Sequence, residues 1–257
     1  MLQGLYEGAR QDANSREHEV PLHELEKQAR SARPVRSALD ALSPRDRIHV
    51  ISEIKRKSPS KGELADIDDP VALAQEYEAG GASMISVLTE SRRFGGSLAD
   101  LHAVSAAVDI PVLRKDFLES EYQIVEARAA GADVVLLIMA GITDERAERL
   151  LEVAREWEMQ ALVEAHTAEE VDRAIAVGAD IVGVNARDLA TFELNKDLFG
   201  QMVPRFPDGV IRVAESAVAE ASDVARYRGQ GAHAVLIGEA LVTGENPRER
   251  VKEFVAA

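Results

Sequence analysis

Four stretches of the chain repeat one order of positions: a helix-like run, then Gly-Ala, then a short apolar block. They are Gly81-Ala82 before MISVL, Gly131-Ala132 before VVLLI, Gly178-Ala179 before IVGV and Gly231-Ala232 before AVLIG. A glycine just past a helix end takes the left-handed conformation at little steric cost. Each pair therefore predicts a helix stop followed by a buried strand. The glycines are 50, 47 and 53 residues apart, which leaves room between neighbours for one further strand and two helices. Those strands are VLRK at 112–115, ALVE at 161–164 and IRVAE at 211–215, and IHVISEIK at 48–55 supplies the first.

Eight apolar strands, each followed by a helical pattern, predict a parallel sheet. Eight units in about 210 residues fit a closed barrel better than an open doubly wound sheet. The expected fold is a single (β/α)8 TIM barrel over 46–257, with residues 1–45 as an N-terminal helical extension packed over one barrel end. EIKRKSPSKG, after the first strand, is not a dinucleotide-binding Gly-x-Gly-x-x-Gly turn. Helix starts support the register. Asp69-Pro70 offers an N-cap with proline at the first helical position, and Ser120…Gln123 and Thr167…Glu170 read as capping boxes.

Composition narrows the function. The chain has no cysteine, which excludes disulfides, thiolate metal sites and cysteine nucleophiles. No apolar run reaches the roughly 18 residues of a membrane span, and the first residues lack the pattern of a secretory signal. A cytoplasmic location is expected. Net charge is −15, a field that repels nucleic acid and anionic membranes. An anionic small substrate would need local positive charge at its site. Seven lysines against 23 arginines, with 45 acidic residues, suggest adaptation to high salt, where carboxylate repulsion is screened. Four of those seven, Lys55, Lys57, Lys61 and Lys115, sit at or near strand ends.

In this fold the active site lies at the carboxyl ends of the strands. The first strand ends with Glu53 and Lys55, the second leads to Arg92, Arg93 and Phe94, and the third ends with Lys115-Asp116-Phe117. The fifth ends with Glu164, the sixth with Asn185 and Arg187, the seventh with Glu215-Ser216 and the eighth with Gly238-Glu239. The fourth ends apolar. Glu53 and Lys55, two apart on a strand, point the same way. A rim salt bridge explains that pair as well as chemistry does, and a solvated lysine explains Lys115 alone. Convergence of opposite charges from five strands on one mouth favours chemistry, because a barrel needs no such ring for stability. Lysine near other cations is pushed to lower pKa and desolvated glutamate to higher pKa, shifts that suit a general acid and base near neutral pH. Loops after the seventh and eighth strands commonly hold phosphate. Ser216 and Gly238 are candidates there, with Lys55, Ser58 and Arg187 adding donors. Phe94 and Phe117 suit either stacking on a flat ring or loop anchoring. His166 reads as a helix-start histidine. His49, His102 and His233 lack metal-ligand spacing, and no metal site is expected.

Glu53-Ile-Lys55-Arg-Lys-Ser58-Pro-Ser-Lys-Gly62, Val112-Leu-Arg-Lys115-Asp-Phe117, Leu162-Val-Glu164, Gly183-Val-Asn185-Ala-Arg187-Asp-Leu189, Ala214-Glu215-Ser216 and Gly238-Glu239-Ala-Leu241 together resemble the signatures of the indole-3-glycerol phosphate synthase family. The resemblance spans roughly residues 48 to 245 of a typical barrel length. It implies closure of 1-(2-carboxyphenylamino)-1-deoxyribulose 5-phosphate to indole-3-glycerol phosphate, with loss of CO2 and water, in tryptophan synthesis and without metal or organic cofactor. It implies Lys115 as acid, Glu164 as base and Lys55 as a second acid. Glu53 and Glu215 would hold lysines and hydroxyls, and Asn185 would bond the substrate. Arg187, Ser216 and Gly238 would hold phosphate, with Phe94 and Phe117 bordering the anthranilate ring. The expected partner is this phosphorylated small molecule, with no nucleic acid or membrane, in a monomer or weak homo-oligomer. Two positions depart from expectation. Ala217 stands where the family usually has glycine, its N–H still a donor, and Glu239 is an acid beside the phosphate loop, with only its N–H expected to contribute. A related isomerase barrel would need a catalytic cysteine, and a binding module would tolerate loss of Lys115. The charge imbalance carries its own prediction: the melting temperature falls when salt is removed, and an unchanged melt would contradict salt adaptation.

Overall fold

The computed structural model describes residues 2–189 and 191–257. Its centre is a closed parallel barrel of eight strands in chain order. They are β1 (His49–Ile54), β2 (Met84–Leu88), β3 (Val112–Lys115), β4 (Val134–Ile138), β5 (Gln160–Ala165), β6 (Ile181–Asn185), β7 (Ile211–Glu215) and β8 (Ala234–Ile237). The ring closes on β1, where His49 faces Ala234 on one side and Ile51 faces Met84 on the other. Every strand expected from the sequence is present. β4, Val-Val-Leu-Leu-Ile, is buried throughout, because one face fills the barrel and the other packs under helices. Gly81, Gly131, Gly178 and Gly231 all adopt positive φ, 81° to 100°, so the repeated Gly-Ala stops end their helices as predicted.

Local chemistry sets the helix starts. Asp69 Oδ1 accepts from the N–H groups of Val71 and Ala72 at 3.0 and 2.9 Å, opening α4 (Pro70–Ala79). Ser120 and Gln123 form the full capping box of α7 (Glu121–Ala129). The second expected box is only half made. Thr167 accepts from the Glu170 N–H at the start of α9 (Ala168–Ala176), but the Glu170 carboxylate accepts from the His166 N–H, one residue before the cap.

The N-terminal extension is helical as expected, with α1 (Leu2–Glu19), α2 (Leu22–Ser31) and α3 (Ala38–Ala41). Its placement is wider than one barrel end. At the mouth, α1 sends Arg92's partner Asp12 to a 2.6 Å ion pair and packs Tyr6 edge-on against Phe117 at 5.6 Å. Arg16 pairs with Glu126, and the Tyr122 hydroxyl donates to Val20 O, so α1 and its exit run along α7. At the opposite end Arg33 forks onto buried Asp133 at 2.6 and 2.8 Å, and the Gln160 side chain accepts from the Ala38 N–H. Asp133 also accepts from the N–H groups of Arg36 and Val112. Such multiple donors offset the desolvation of a buried carboxylate. The extension is thus a strap tied at both ends of the barrel. A short hairpin, Lys57–Ser58 against Gly62–Glu63, lies in the loop after β1.

Candidate active site

Strand alternation decides which side chains enter the mouth. On β3, Leu113 and Lys115 share one face and Arg114 the other. Arg114 is fully buried behind the barrel wall, where it pairs with Asp116 and Glu126 and donates to Gln123 O. That anchoring leaves Lys115 on the inner face. Its ammonium lies 3.3 Å from Glu215 Oε2, 3.6 Å from Glu53 Oε2 and 3.6 Å from Glu164 Oε2. Lys55 Nζ sits 2.8 Å from Glu53 Oε1. Glu53, Glu164 and Glu215 are all buried. Five charged groups therefore converge, from β1, β3, β5 and β7, four of the five strands expected; from the fifth, β6, it is the neutral Asn185 that reaches the cluster.

Glycines make room for them. A methyl on Gly183 of β6 would overlap Glu215 Oε1, and one on Gly238 would overlap Glu53 Oε1 and lie 3.1 Å from Lys55 Nζ. Asn185 cross-links the far side: its Nδ2 donates to Glu164 Oε1 at 3.2 Å, and its Oδ1 accepts from Ser216 Oγ at 2.8 Å and from the Arg187 N–H at 3.0 Å.

The electrostatics correct the expected direction for lysine. Burial opposes the charge of Lys115, but Glu215, Glu53 and Glu164 together outweigh it and hold its pKa above the ordinary lysine range. No neighbouring cation dominates, so Lys115 is not depressed. The glutamates divide. Burial, and then the charge of Glu164, push Glu215 up, with Lys115 only partly compensating. Glu164 is also penalised by burial, yet Lys115, His166 and Asn185 hold it well below the usual carboxylate range. Glu53 is lowered because Lys55 and Lys115 outweigh its burial. The upward shift expected of a desolvated glutamate thus appears at Glu215, and not at Glu164.

Around this cluster opens a cavity of about 700 Å³ at the carboxyl ends of the strands. Leu136 and Ile138 of β4 give it an apolar wall, continued by Phe94 and Phe117, whose rings lie 6.2 Å apart. Ser58, Arg187, Ser216, Ala217, Gly238 and Glu239 line the other side. Ser216 and Ala217 have φ of 67° and 59°. Non-glycine residues in that region cost about 1–2 kcal/mol each, which explains why glycine suits position 217. The Glu239 carboxylate is engaged by Lys61, across from the hairpin loop after β1. It opens the four-residue α12 (Glu239–Val242).

Sequence reasoning passed over several cavity residues. Leu5 of α1 reaches the mouth, as do Phe192, Leu194 and Lys196 of the loop after β6. His166 is the main omission. Its imidazole is 8% exposed and lies 3.1 Å from Glu164 Oε1, so it is no bland helix start. The signal was present: His166 follows Glu164 by two positions, the same spacing that paired Glu53 with Lys55. Among the described residues no group of histidines and carboxylates is arranged to hold a metal ion, and no helix is long and apolar enough to cross a membrane.

Comparison with known proteins adds an independent line. Residues 2–254 match the family model described as indole-3-glycerol phosphate synthase. A protein of that name from Leifsonia xyli subsp. xyli is 57% identical over 254 residues, covering 99% of this chain and 97% of the relative. One from Beutenbergia cavernae is 53% identical over 257 residues, covering 100% of this chain and 95% of the relative. The barrel also superposes on a solved 3-hexulose-6-phosphate synthase with a TM-score of 0.64 at 18% identity, covering 82% of this chain and 98% of that one. At that identity the likeness shows the fold alone.

Gly183→Ala tests the packing of the site. The added methyl displaces Glu215 from Lys115, so turnover falls by about 10-fold or more through misplacement alone. Steady-state kinetics with a thermal melt check it. Unchanged turnover would mean that the Glu215 position does not matter.

Proposed function

The chain belongs to the indole-3-glycerol phosphate synthase family, carboxy-lyases of tryptophan biosynthesis, and on that premise we propose how its barrel mouth performs the ring closure. The substrate, 1-(2-carboxyphenylamino)-1-deoxyribulose 5-phosphate, brings a flat ring, a carboxylate, a ketone and a phosphate. The ring takes the apolar wall of Leu136, Ile138, Phe94 and Phe117. The phosphate takes the opposite rim, where Ser216 and Gly238 with the Ala217 and Glu239 N–H groups act as donors. Arg187, Ser58 and Lys55 add charge and hydroxyls.

The observation that carries this reading is the Lys115 side-chain nitrogen within 3.6 Å of three buried carboxylates, which together favour its ammonium form. As the ring carbon attacks the ketone carbon, negative charge grows on the ketone oxygen. Lys115 delivers a proton there. Loss of CO2 then restores the aromatic ring. Dehydration follows. Glu164, held as an anion, takes a proton from the carbon next to the one bearing the hydroxyl, and a C=C bond forms between those two carbons. Lys55 protonates the hydroxyl as its C–O bond breaks, releasing water. Glu53 bridges the two lysines, and Glu215 steadies Lys115. Asn185 fixes Glu164 and bonds the substrate. These steps are acid/base steps and draw on no cofactor.

The same reading makes the protein a cytoplasmic enzyme, monomeric or weakly self-associating and adapted to high salt. The acidic composition supports the last of these.

Lys115→Ala and Glu164→Gln each lower turnover by about 10²–10⁴-fold, the usual contribution of an acid or base, with the fold preserved. The assay follows indole fluorescence as purified protein is mixed with the carboxyphenylamino substrate. Near-normal turnover in either variant overturns that residue's role.

A further inference from the structure

Behind Glu164 the structure holds a second charged side chain that the ring closure itself does not require. His166 follows the end of β5 and stands between two carboxylates. Its Nε2 lies 3.1 Å from Glu164 Oε1, and its Nδ1 lies 3.4 Å from Glu170 Oε2. Both are ion-pair contacts and not well-aligned hydrogen bonds. Glu170 is fixed in turn, because its Oε2 accepts from the His166 backbone N–H at 2.7 Å. This bond is why Glu170 abandons the capping box that its position predicts.

We propose that His166 is a positioning residue for Glu164, an imidazolium clamped by Glu170 that keeps the Glu164 carboxylate anionic and aimed into the cavity. The inference rests on Glu164 being the base. Asn185 and His166 meet Glu164 at Oε1, Lys115 meets it at Oε2, and Glu215 faces it from β7 across the same ammonium. When Lys115 gives up its proton to the substrate, Glu164 loses one of its two nearby cations. His166 remains and stops the buried carboxylate from taking a proton before its own step.

The surroundings support a charged imidazole. On its own side stand Glu170 and Arg173 of α9, and Arg173 is drawn off by Asp144, the first residue of α8 (Asp144–Glu156), at 2.7 Å. Beyond Glu164 stand Lys115 on β3, Glu215 on β7, itself pushed up to about 8, and the Tyr6 hydroxyl on α1. Burial disfavours the imidazolium, but Glu164 and Glu170 outweigh it and raise the pKa to about 10. His49 and His233 contrast with it. Burial lowers both, and Arg212 adds to the effect at His233.

The test is a set of kcat and KM profiles against pH for the full-length enzyme, with thermal melts for each variant. His166→Ala lowers kcat by about 10- to 100-fold, the cost of a misplaced group, while KM stays within about threefold for an intact cavity. His166→Gln returns a donor near Oε1 and recovers part of the loss. Glu170→Gln removes one of the two carboxylates that hold the proton, so His166 loses it at lower pH. That variant's kcat then declines at a pH between the ordinary histidine value of about 6.5 and the parent's about 10. The Glu215 titration at about 8, common to both proteins, cancels in the comparison. A merely structural histidine would move none of these profiles in shape. Should His166→Ala fail to fold, the Glu170→Gln profile decides alone. Profiles of both variants that superimpose on the parent, beside an inactive Glu164→Gln, overturn the inference and spare the base assignment. A fully active Glu164→Gln overturns both.

Discussion

The ammonium of Lys115, buried within 3.6 Å of three carboxylates, is the constraint around which the barrel mouth is built. A charge taken from water costs several kcal/mol unless it is paired, and here each partner comes from a different strand. Three acids around one lysine leave an excess of negative charge. Lys55 offsets it at Glu53 and His166 at Glu164. Among the described residues Glu215 meets no second cation, and it is the acid pushed upward. The arrangement survives only if strand register is kept, because a slip by one residue would turn each of these side chains out of the barrel.

Features remote from the chemistry serve that register. Arg114, buried on the outer face of β3 among Asp116, Glu126 and Gln123 O, fixes the strand whose next residue is Lys115. Gly183 and Gly238 leave volume for Glu215 and Glu53 where any Cβ would intrude. The N-terminal strap adds Tyr6 against Phe117 at the mouth and Arg33 against Asp133 at the far end. Substrate-binding walls and charge cluster thus share supports. A ring-sized apolar wall lies on the β4 side, while the loop after β7 carries backbone strain at Ser216 and Ala217.

Much of this was legible in sequence because the signals are local. A glycine at a helix stop, an apolar block of strand length and a charge at its end are each read within ten residues, and all eight strands follow from them. What sequence left out is mostly three-dimensional. The direction of the Lys115 shift depends on which charges are nearest, and cation neighbours in sequence proved less close than carboxylates from other strands. Thr167 and Glu170 have capping-box spacing, but the His166 backbone N–H takes the carboxylate instead. The strap's contact with the far barrel end depends on Arg33 and Asp133, 100 residues apart, and its contact with the mouth on Tyr6 and Phe117. His166 is different. Its spacing from Glu164 was readable, and a histidine at the start of a helix obscured it.

Direct titration of the seven lysines is the most decisive measurement, by nitrogen-15 NMR of lysine-labelled protein. Lys115 should still be an ammonium at about pH 10.4, where a lysine in a model peptide is half titrated, and it should titrate earlier once Glu215 is replaced by glutamine. If Lys115 loses its proton below that pH, the three carboxylates do not hold it, and its place as the proton donor for ring closure is contradicted.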